Sequence, residues 1–173
     1  MEKIRITTKI KTSDMFLFQM YHTYMGMTGM LMLLVVVLSL GNLIGNFASM
    51  PAWTKVFCIF IILWAVVLNP LTLYTRSKRQ VETTELFKNP VDIEIAPEGF
   101  GLYQGENGGV IEWKDISKIV ILNKIVILYM GKVRAHLLPL EDNPEQAEAI
   151  VELIRTYAKG RKIVGGKKRR KQL

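Results

Sequence analysis

The sequence contains a single cysteine and only two histidines, and both shortages exclude whole classes of site. Cys58 has no partner for a disulfide, and it lies in an apolar run, where cysteine serves as a small hydrophobic side chain. His22 and His136 have no second histidine, cysteine or carboxylate at metal-ligand spacing, so we predict no metal site and no cofactor. We interpret neither histidine as a catalytic base, and we expect His136 to be exposed near the end of a strand.

Charged residues are missing from two long stretches in the first half of the chain. No Asp, Glu, Lys or Arg occurs between Met15 and Thr54, and after Lys55 none occurs until Arg76. Runs of this length predict membrane-spanning helices. We place the spans at 25–44 and 56–74, within a membrane hairpin that covers 15–74. The competing interpretation, a cleaved signal peptide, requires a shorter apolar region close to the N-terminus and a cleavage site, whereas here a second apolar run follows the first.

Basic residues lie on one side of this hairpin. They are Lys3, Arg5, Lys9 and Lys11 before the first span and Arg76, Lys78 and Arg79 after the second, with only Lys55 in the loop. Because basic flanks stay in the cytoplasm, we expect a multi-pass protein of the cell membrane with both termini cytoplasmic.

Within the spans, Gly41 and Gly45 have the Gly-x-x-x-Gly spacing that lets membrane helices approach closely. This spacing predicts a helix contact, either inside the hairpin or between two copies in a homo-oligomer. Met25 and Met32 share a helix face and suggest a Cu(I) site, but packing and lipid contact explain them more simply.

After Tyr74, short β-rich runs alternate with turn signals. The runs are Val91–Ala96, Phe100–Tyr103, Val110–Trp113, Lys118–Leu122, Ile125–Met130 and Val133–Leu138. Two-residue links such as Asn123-Lys124 and Gly131-Lys132 predict tight hairpins, and the spacing of the runs predicts an antiparallel sandwich or barrel. We therefore expect a mainly-β (α+β) domain over 75–160.

The two ends of this domain add a capping helix and one more strand. The helix is predicted to have Asp142 or Asn143 as its cap, Pro144 at its first position and Gly160 as its end. At the N-terminus, 1–14 contains an alternating segment, Lys3–Lys11, which predicts a half-buried strand.

Six strands followed by one amphipathic helix resemble a pleckstrin-homology-like fold, which has seven strands and a capping helix. The segment Lys3–Lys11 supplies the missing strand in this interpretation, and the membrane hairpin is then an insertion between the first and second strands.

Several short motifs carry a resemblance to a known family. They are Ile111-Glu112-Trp113-Lys114-Asp115-Ile116 with Lys118-Ile119, then Leu128-Tyr129 and Leu138-Pro139, and at the front Asp14, Phe18 and Tyr21-His22. This arrangement resembles the bacterial YcxB-like family, which pairs an N-terminal membrane hairpin with a pleckstrin-homology-like domain. The resemblance implies architecture and brings no catalytic motif. We interpret Trp113, Asp115 and Pro139 as structural positions, with Trp113 a core aromatic whose indole N–H needs a partner.

The net charge of +8 comes entirely from the C-terminus. From Lys159 onward there are eight basic residues and no acidic one, which leaves 15 basic and 15 acidic residues in the rest of the chain. The tail, 161–173, contains the run Lys167, Lys168, Arg169, Arg170 and Lys171 after a Gly165-Gly166 pair that we expect to be flexible. Beside a membrane anchor, this run and the basic residues Arg76, Lys78 and Arg79 predict contact with anionic phospholipid. The alternatives are a solvated tail and nucleic acid, and the lack of interleaved aromatics disfavours nucleic acid.

No Ser-His-Asp or paired-carboxylate arrangement is visible, so we predict a non-catalytic protein. The first hypothesis is a membrane-tethered module that binds a protein segment or anionic lipid. The alternative is an accessory or regulatory subunit of a larger membrane complex, for transport or envelope stress, engaged through the hairpin. A protein partner is expected in both, but its identity does not follow from the sequence.

Overall fold

The computed structural model describes residues 2–131 and 134–166, and the chain divides into two compact units. The β unit combines Met1–Asp14 with Val81–Leu173, and the hairpin unit is Met15–Gln80. The β unit is therefore built from both sides of the hairpin in the sequence.

The hairpin unit is helical. Its segments are α1 (Thr12–Tyr24, which begins in the β unit), α2 (Met27–Asn46), α3 (Ala52–Leu63), a π-helical turn (Trp64–Leu68) and α4 (Asn69–Thr83). Met27–Asn46 and the continuous helix Ala52–Thr83 are long and apolar enough to cross a membrane, and only 11% and 17% of their most apolar stretches are buried. Apolar surface of this extent, left uncovered by the described residues, needs lipid or a partner to cover it.

The helix at the entry into the hairpin, α1, begins at Thr12. Asp14 is its third residue, and the Asp14 carboxylate accepts a hydrogen bond of 2.8 Å from the backbone N–H of Lys11. This is half of a capping box, in which a side chain of the first turn satisfies the amide that precedes the helix.

The β unit contains two four-stranded sheets. The first has the order β1 (Ile4–Thr8), β2 (Val91–Ala96), β3 (Gly99–Gln104), β4 (Asn107–Glu112), and the second the order β7 (Arg134–Pro139), β6 (Ile125–Met130), β5 (Lys118–Ile121), β8 (Lys162–Gly165). The remaining elements are the short helix α5 (Glu85–Lys88), a 3₁₀ turn (Trp113–Asp115) and α6 (Ala147–Tyr157). All pairings are antiparallel except that of β5 with β8, which is parallel.

The strand before the hairpin pairs with the strand after it. The register between β1 and β2 runs from Ile4 opposite Ile95 to Thr8 opposite Val91. The hairpin is thus inserted between two hydrogen-bonded neighbours of one sheet, and the chain leaves and re-enters that sheet at the same end.

The core of the β unit lies between the sheets and α6. Its buried members are Ile6, Ile93, Ile95, Phe100, Trp113, Ile116, Ile119, Ile121, Val126, Leu128, Leu138, Leu140, Ile150, Ile154 and Ala158. Each fully buried large side chain among them contributes about 1.5–3 kcal/mol by leaving water. Ile125 and Ile127 on the other face of β6 are also fully buried, which explains why this strand is a continuous apolar run without polar alternation.

The chain is therefore an α+β protein with N-terminal helices, antiparallel and mixed sheets and a C-terminal helix. The pleckstrin-homology-like barrel remains a prediction. Val133, with which the sixth predicted strand begins, lies outside the described residues. Among the strands of the described residues, the one that we did not predict is β8, because we assigned 161–173 to a tail.

Candidate functional site

Asp142, at the end of the β unit where the hairpin joins, bonds to three residues that lead into the hairpin. Its Oδ2 accepts hydrogen bonds from the Thr8 hydroxyl at 2.9 Å and from the Lys9 backbone N–H at 3.2 Å. Its Oδ1 lies 2.5 Å from the Lys11 ammonium nitrogen. The next side chain, Asn143, donates to the Thr7 carbonyl at 3.2 Å. We expected Asp142 or Asn143 to cap α6, and that prediction is wrong, because α6 begins only at Ala147 and both side chains bond to the residues that lead into the hairpin.

The pKa values of Asp142 and its neighbours shift in the direction expected from these contacts. Burial raises the pKa of Asp142, but the hydrogen bonds from Lys11, Thr8 and Lys9 outweigh it and the net pKa lies below the ordinary value. The pKa of Lys11 is raised by its hydrogen bond to Asp142 and by the charge of that carboxylate. Burial is the main cause that raises the pKa of Asp14 in the first turn of α1. The result is a fixed, charge-paired junction at the point where the chain leaves the first sheet.

Other contacts define the same end of the β unit, which we call the hairpin end. The turn that joins β5 to β6 carries Lys124, whose ammonium group lies 2.8 Å from the Glu141 carboxylate. Gln104, at the end of β3, donates to the carbonyls of Leu86 and Asn89 at 3.2 and 3.3 Å, where the chain returns from the hairpin. The segments of the β unit that precede and follow the hairpin are thus hydrogen-bonded to the rest of this unit.

Three of the four basic residues before the hairpin are paired with carboxylates within the β unit. Lys3 bonds to Glu94 at 3.4 Å and Arg5 to Asp92 at 2.8 Å, while Lys11 bonds to Asp142. A hydrogen bond from Thr7 and then the one from Arg5 lower the pKa of Asp92. These side chains fix β1 to the sheet, so they offer less free charge than the sequence count suggests.

Three of the eight predicted lipid-contact residues belong to the hairpin unit. Arg76, Lys78 and Arg79 are exposed on α4. The basic run Lys167, Lys168, Arg169, Arg170 and Lys171 lies outside the described residues.

Gly41 and Gly45 do not form a contact inside the hairpin. A Cβ atom at either position would meet no atom within 4 Å among the described residues. The buried positions of α2 are Gly29 and Ser39, which lie on another face of the helix. At Gly29 the backbone of Tyr24 leaves no room for a side chain, because the chain turns there from α1 into α2. The alternative, a contact between two copies of the chain, remains a prediction.

A polar cluster in the hairpin was not visible in the sequence. The Tyr24 hydroxyl donates to the Ala65 carbonyl at 2.8 Å, and the Asn69 side-chain amide donates to the Tyr24 oxygen at 3.2 Å. Ala65 lies in the π-helical turn directly before Pro70, which has no backbone N–H to offer to that turn. Tyr24 therefore supplies a donor where the proline cannot. The sequence feature that marks this cluster is the Asn69-Pro70 pair. Its partner on α1, Tyr24, could not be identified without the fold.

The structure shows the surroundings of Trp113, Asp115 and Pro139, the three residues that we interpreted as structural positions. Trp113 is buried, and its indole N–H donates to the Ala96 carbonyl at 2.8 Å. Asp115 is exposed in the 3₁₀ turn, and Pro139 is buried at the end of β7. His136 is half-buried rather than exposed, with its ring 6.5 Å from that of Phe100, and burial lowers its pKa.

The profile of the family described as YcxB-like protein matches residues 95–154. The matched range runs from the end of β2 to the second half of α6, so it contains Trp113, Asp115 and Pro139. The predicted resemblance is confirmed over this YcxB-like segment, while the hairpin, β1 and β8 lie outside it. No curated protein and no solved structure gives a match.

Among residues 2–131 and 134–166, no three His, Cys, Asp or Glu side chains come together in a way that could hold a metal ion. The arrangement at the hairpin end is one of ion pairs and hydrogen bonds between distant parts of the chain.

Proposed function

We propose that this protein is a non-catalytic, membrane-tethered binding module. The hairpin crosses the cell membrane twice, both termini are cytoplasmic, and the β unit is a pleckstrin-homology-like domain held at the inner leaflet. There it contacts anionic phospholipid and binds a segment of a protein partner.

The observation that carries this proposal is the pairing of β1 with β2. The chain passes from Thr8 into the hairpin and returns at Val91, its partner in the same sheet. A domain joined to two spans by adjacent strands cannot drift far from the bilayer, and such confinement raises its effective concentration at the membrane surface. The Asp142 junction strengthens the connection on the β1 side.

The charge of the tail supports the lipid contact. A basic residue close to an anionic leaflet contributes about 1 kcal/mol, so a run of five gains considerably once an anchor holds it nearby. Three of the four basic residues before the hairpin are engaged with carboxylates of the β unit. The basic run Lys167–Lys171 is therefore our first choice for the contact.

The edge strand β4 supports the binding of a protein segment. In the part of the chain that the structure describes, β4 pairs with β3 alone, and Val110 on it is 53% exposed. A free edge can take up an extended peptide as an additional strand, with main-chain hydrogen bonds for affinity.

The alternative is an accessory subunit of a larger membrane complex, engaged through the hairpin. It is favoured by the open faces at Gly41 and Gly45, where a second helix could approach closely. The same surface could join two copies of this chain.

The membrane arrangement is tested by cysteine labelling of the full chain in intact cells. In a Cys58→Ser background, single cysteines replace Ser49 in the loop or Glu106 in the β3–β4 turn. A membrane-impermeant maleimide should label position 49 in intact cells and position 106 only after the membrane is broken. Equal labelling of both positions in intact cells would contradict the proposed topology.

The two functional candidates are separated by photo-crosslinking in the full chain. A photoreactive amino acid replaces Val110 in one variant and Val37 in the other, two valines with 53% and 56% exposure. A protein crosslinked from position 110 but not from 37 supports the tethered module. A crosslink only from position 37 supports a complex formed through the hairpin, and its mass distinguishes a second copy from another protein.

A further inference from the structure

The turn between β3 and β4 determines which main-chain groups of β4 face the free edge of the first sheet. The turn consists of Gly105 and Glu106, and beside it Gln104 lies opposite Asn107. Gly105 has a φ of +60°, which is typical of glycine at the first position of a tight hairpin turn. In such a hairpin the pair beside the turn exchanges both main-chain hydrogen bonds, and hydrogen-bonded pairs then recur at every second residue.

This alternation leaves half of the β4 main chain free. Starting from the pair beside the turn, every second residue of β4 bonds to β3, so the N–H and C=O groups of Gly108, Val110 and Glu112 point away from it. The register between the two strands runs through six pairs without a bulge. β4 also contains no proline and no lysine, two residues with which natural edge strands prevent further pairing. The edge is therefore a regular template for one more strand.

The two faces of β4 have room for apolar side chains of an added strand. Gly109 lies opposite Leu102, and a Cβ at Gly109 would meet no atom within 4 Å among the described residues. Leu102 and Ile111 pack against the core but are only half-buried. On the other face, Val110 is exposed. An added strand can thus place one apolar side chain over Gly109 and another beside Val110, since directly opposite side chains of paired strands are in contact.

The charge along this edge is acidic. Residues 106–115 contain three acidic residues and one basic residue. The basic residue, Lys114, is already engaged, because its ammonium nitrogen lies 2.6 Å from the carboxylate of Glu112. Glu106 and Asp115 form no ion pair with any residue that the structure describes. Opposite charges on adjacent strands are stabilising and like charges are destabilising, so the edge favours a strand that brings Lys or Arg.

We infer that β4 takes up an extended segment of a partner protein that is apolar in its middle and carries Lys or Arg at both ends. This inference rests on the proposed binding of a protein segment and adds the chemistry of that segment. A second copy of this chain fits less well, because two β4 edges would bring their acidic residues together without a free cation between 106 and 115.

The test uses the full chain in phosphatidylcholine nanodiscs and a fluorescent peptide, Lys-Ile-Val-Phe-Thr-Thr-Lys, whose binding is read by anisotropy against empty discs. A control peptide has Glu in place of both Lys residues. Two further peptides are N-methylated, one at every second residue and the other at the intervening residues. Only one of these two sets faces β4 in an added strand, so one peptide should lose binding and the other should retain it.

The protein variants address the main chain and the charge separately. Val110→Pro removes an N–H that faces the edge, a change that edge strands tolerate, whereas the control Val110→Thr keeps both the N–H and the branched side chain. We expect Val110→Pro to weaken the Lys peptide about fivefold and Val110→Thr to leave it unchanged. Glu106→Lys should weaken the Lys peptide about twofold and strengthen the Glu peptide by a similar factor. Hydrogen exchange at 125–130 should be equal in all variants, which shows that the β unit is folded.

The Lys peptide should also slow hydrogen exchange at 108–112 in the unaltered chain. Absence of this protection, equal binding of the two N-methylated peptides, or equal loss in Val110→Pro and Val110→Thr would overturn the addition of a strand at β4. Equal binding of the Lys and Glu peptides would overturn the stated charge of the segment. The crosslink from position 110 in cells tests the proposed docking itself, so a crosslinked protein together with a failed Lys peptide refutes only the chemistry inferred for the segment.

A second copy as the occupant is tested in the same discs without peptide. Val110→Cys in a Cys58→Ser background should stay monomeric under mild oxidation. A disulfide-linked dimer would place a second β4 at this edge, because paired residues of adjacent strands lie within disulfide distance, and would overturn the inference.

Discussion

Replacing Asp142 by alanine should release the N-terminal strand from the β unit without unfolding the rest. Thr8, the residue that would lose its partner, is only 4% exposed, and Thr8 and Asp142 are 134 positions apart in the sequence. The substitution removes the acceptor of two hydrogen bonds and one ion pair at the junction with the hairpin.

The magnitude follows from the exposure of each partner. Hydrogen bonds to a charged group contribute about 1.5–3 kcal/mol when they are shielded from water. The Asp142 side chain is 19% exposed and the Lys11 side chain 55%, so water replaces part of these contacts. The ion pair with Lys11 adds at most about 1 kcal/mol. We therefore expect β1 to open about 2 kcal/mol more easily, which is roughly a 30-fold loss of protection.

The assay is hydrogen exchange of the full-length protein in nanodiscs, read at the amides of Ile4–Thr8. The matched control is Glu141→Ala, which removes the neighbouring carboxylate but breaks only the exposed pair with Lys124. Because water screens this exposed pair, that change should alter the protection of β1 about twofold or less. The reasoning is refuted if Asp142→Ala leaves the protection of β1 unchanged, or if the two variants lose protection equally.

The same junction should weaken in acid. The pKa of Asp142 in the folded protein lies below its ordinary value of 3.8, so its contribution is complete above that value and is lost as the pH falls through the folded pKa. The protection of β1 should therefore decrease in strong acid, and this decrease should be smaller in Asp142→Ala.

Two further predictions concern the hairpin and the core. Tyr24→Phe removes the donor to Ala65 and should cost about 1 kcal/mol, seen as roughly fivefold faster exchange at 66–72, whereas Tyr74→Phe removes a hydroxyl that has no hydrogen bond among the described residues and should change nothing. Equal effects of the two changes would count against the polar cluster. Burial lowers the pKa of His136 below 6.5, so the unfolded chain binds the proton first, and the stability of the β unit should fall as the pH drops below that value. His136→Gln should flatten this pH dependence in unfolding curves of the full chain, and an unaltered dependence would show that another group causes it.

The sequence was sufficient wherever a local pattern decides the structure. The absence of charge from Met15 to Thr54 identified a hairpin whose two helices are long and apolar enough to cross a membrane. Turn signals between apolar runs located β2 and β6 to the residue and the other strands of the YcxB-like segment within a few positions. Turn chemistry and hydrophobic period act over a few residues, so they can be read without a partner.

Only the tertiary structure decided which distant segments meet. Asp142 looked like a helix cap because its sequence neighbours allow one, but its partners come from the other side of the hairpin. Gly41 and Gly45 had the spacing of a helix contact, yet the rotation of α2 turns them away from the rest of the chain that the structure describes.

The C-terminal segment shows the same limit. Lys162–Gly165 is too short and too basic at its start to predict a strand, and it becomes one because β5 offers a free edge and α6 returns the chain beside it. From the sequence we expect the Gly165-Gly166 pair to be flexible, and only the fold shows that Arg155 donates a hydrogen bond to the Gly165 carbonyl. Local propensity fixes what a segment can form, whereas the register of the sheets and the rotation of the helices determine which partner stabilises it.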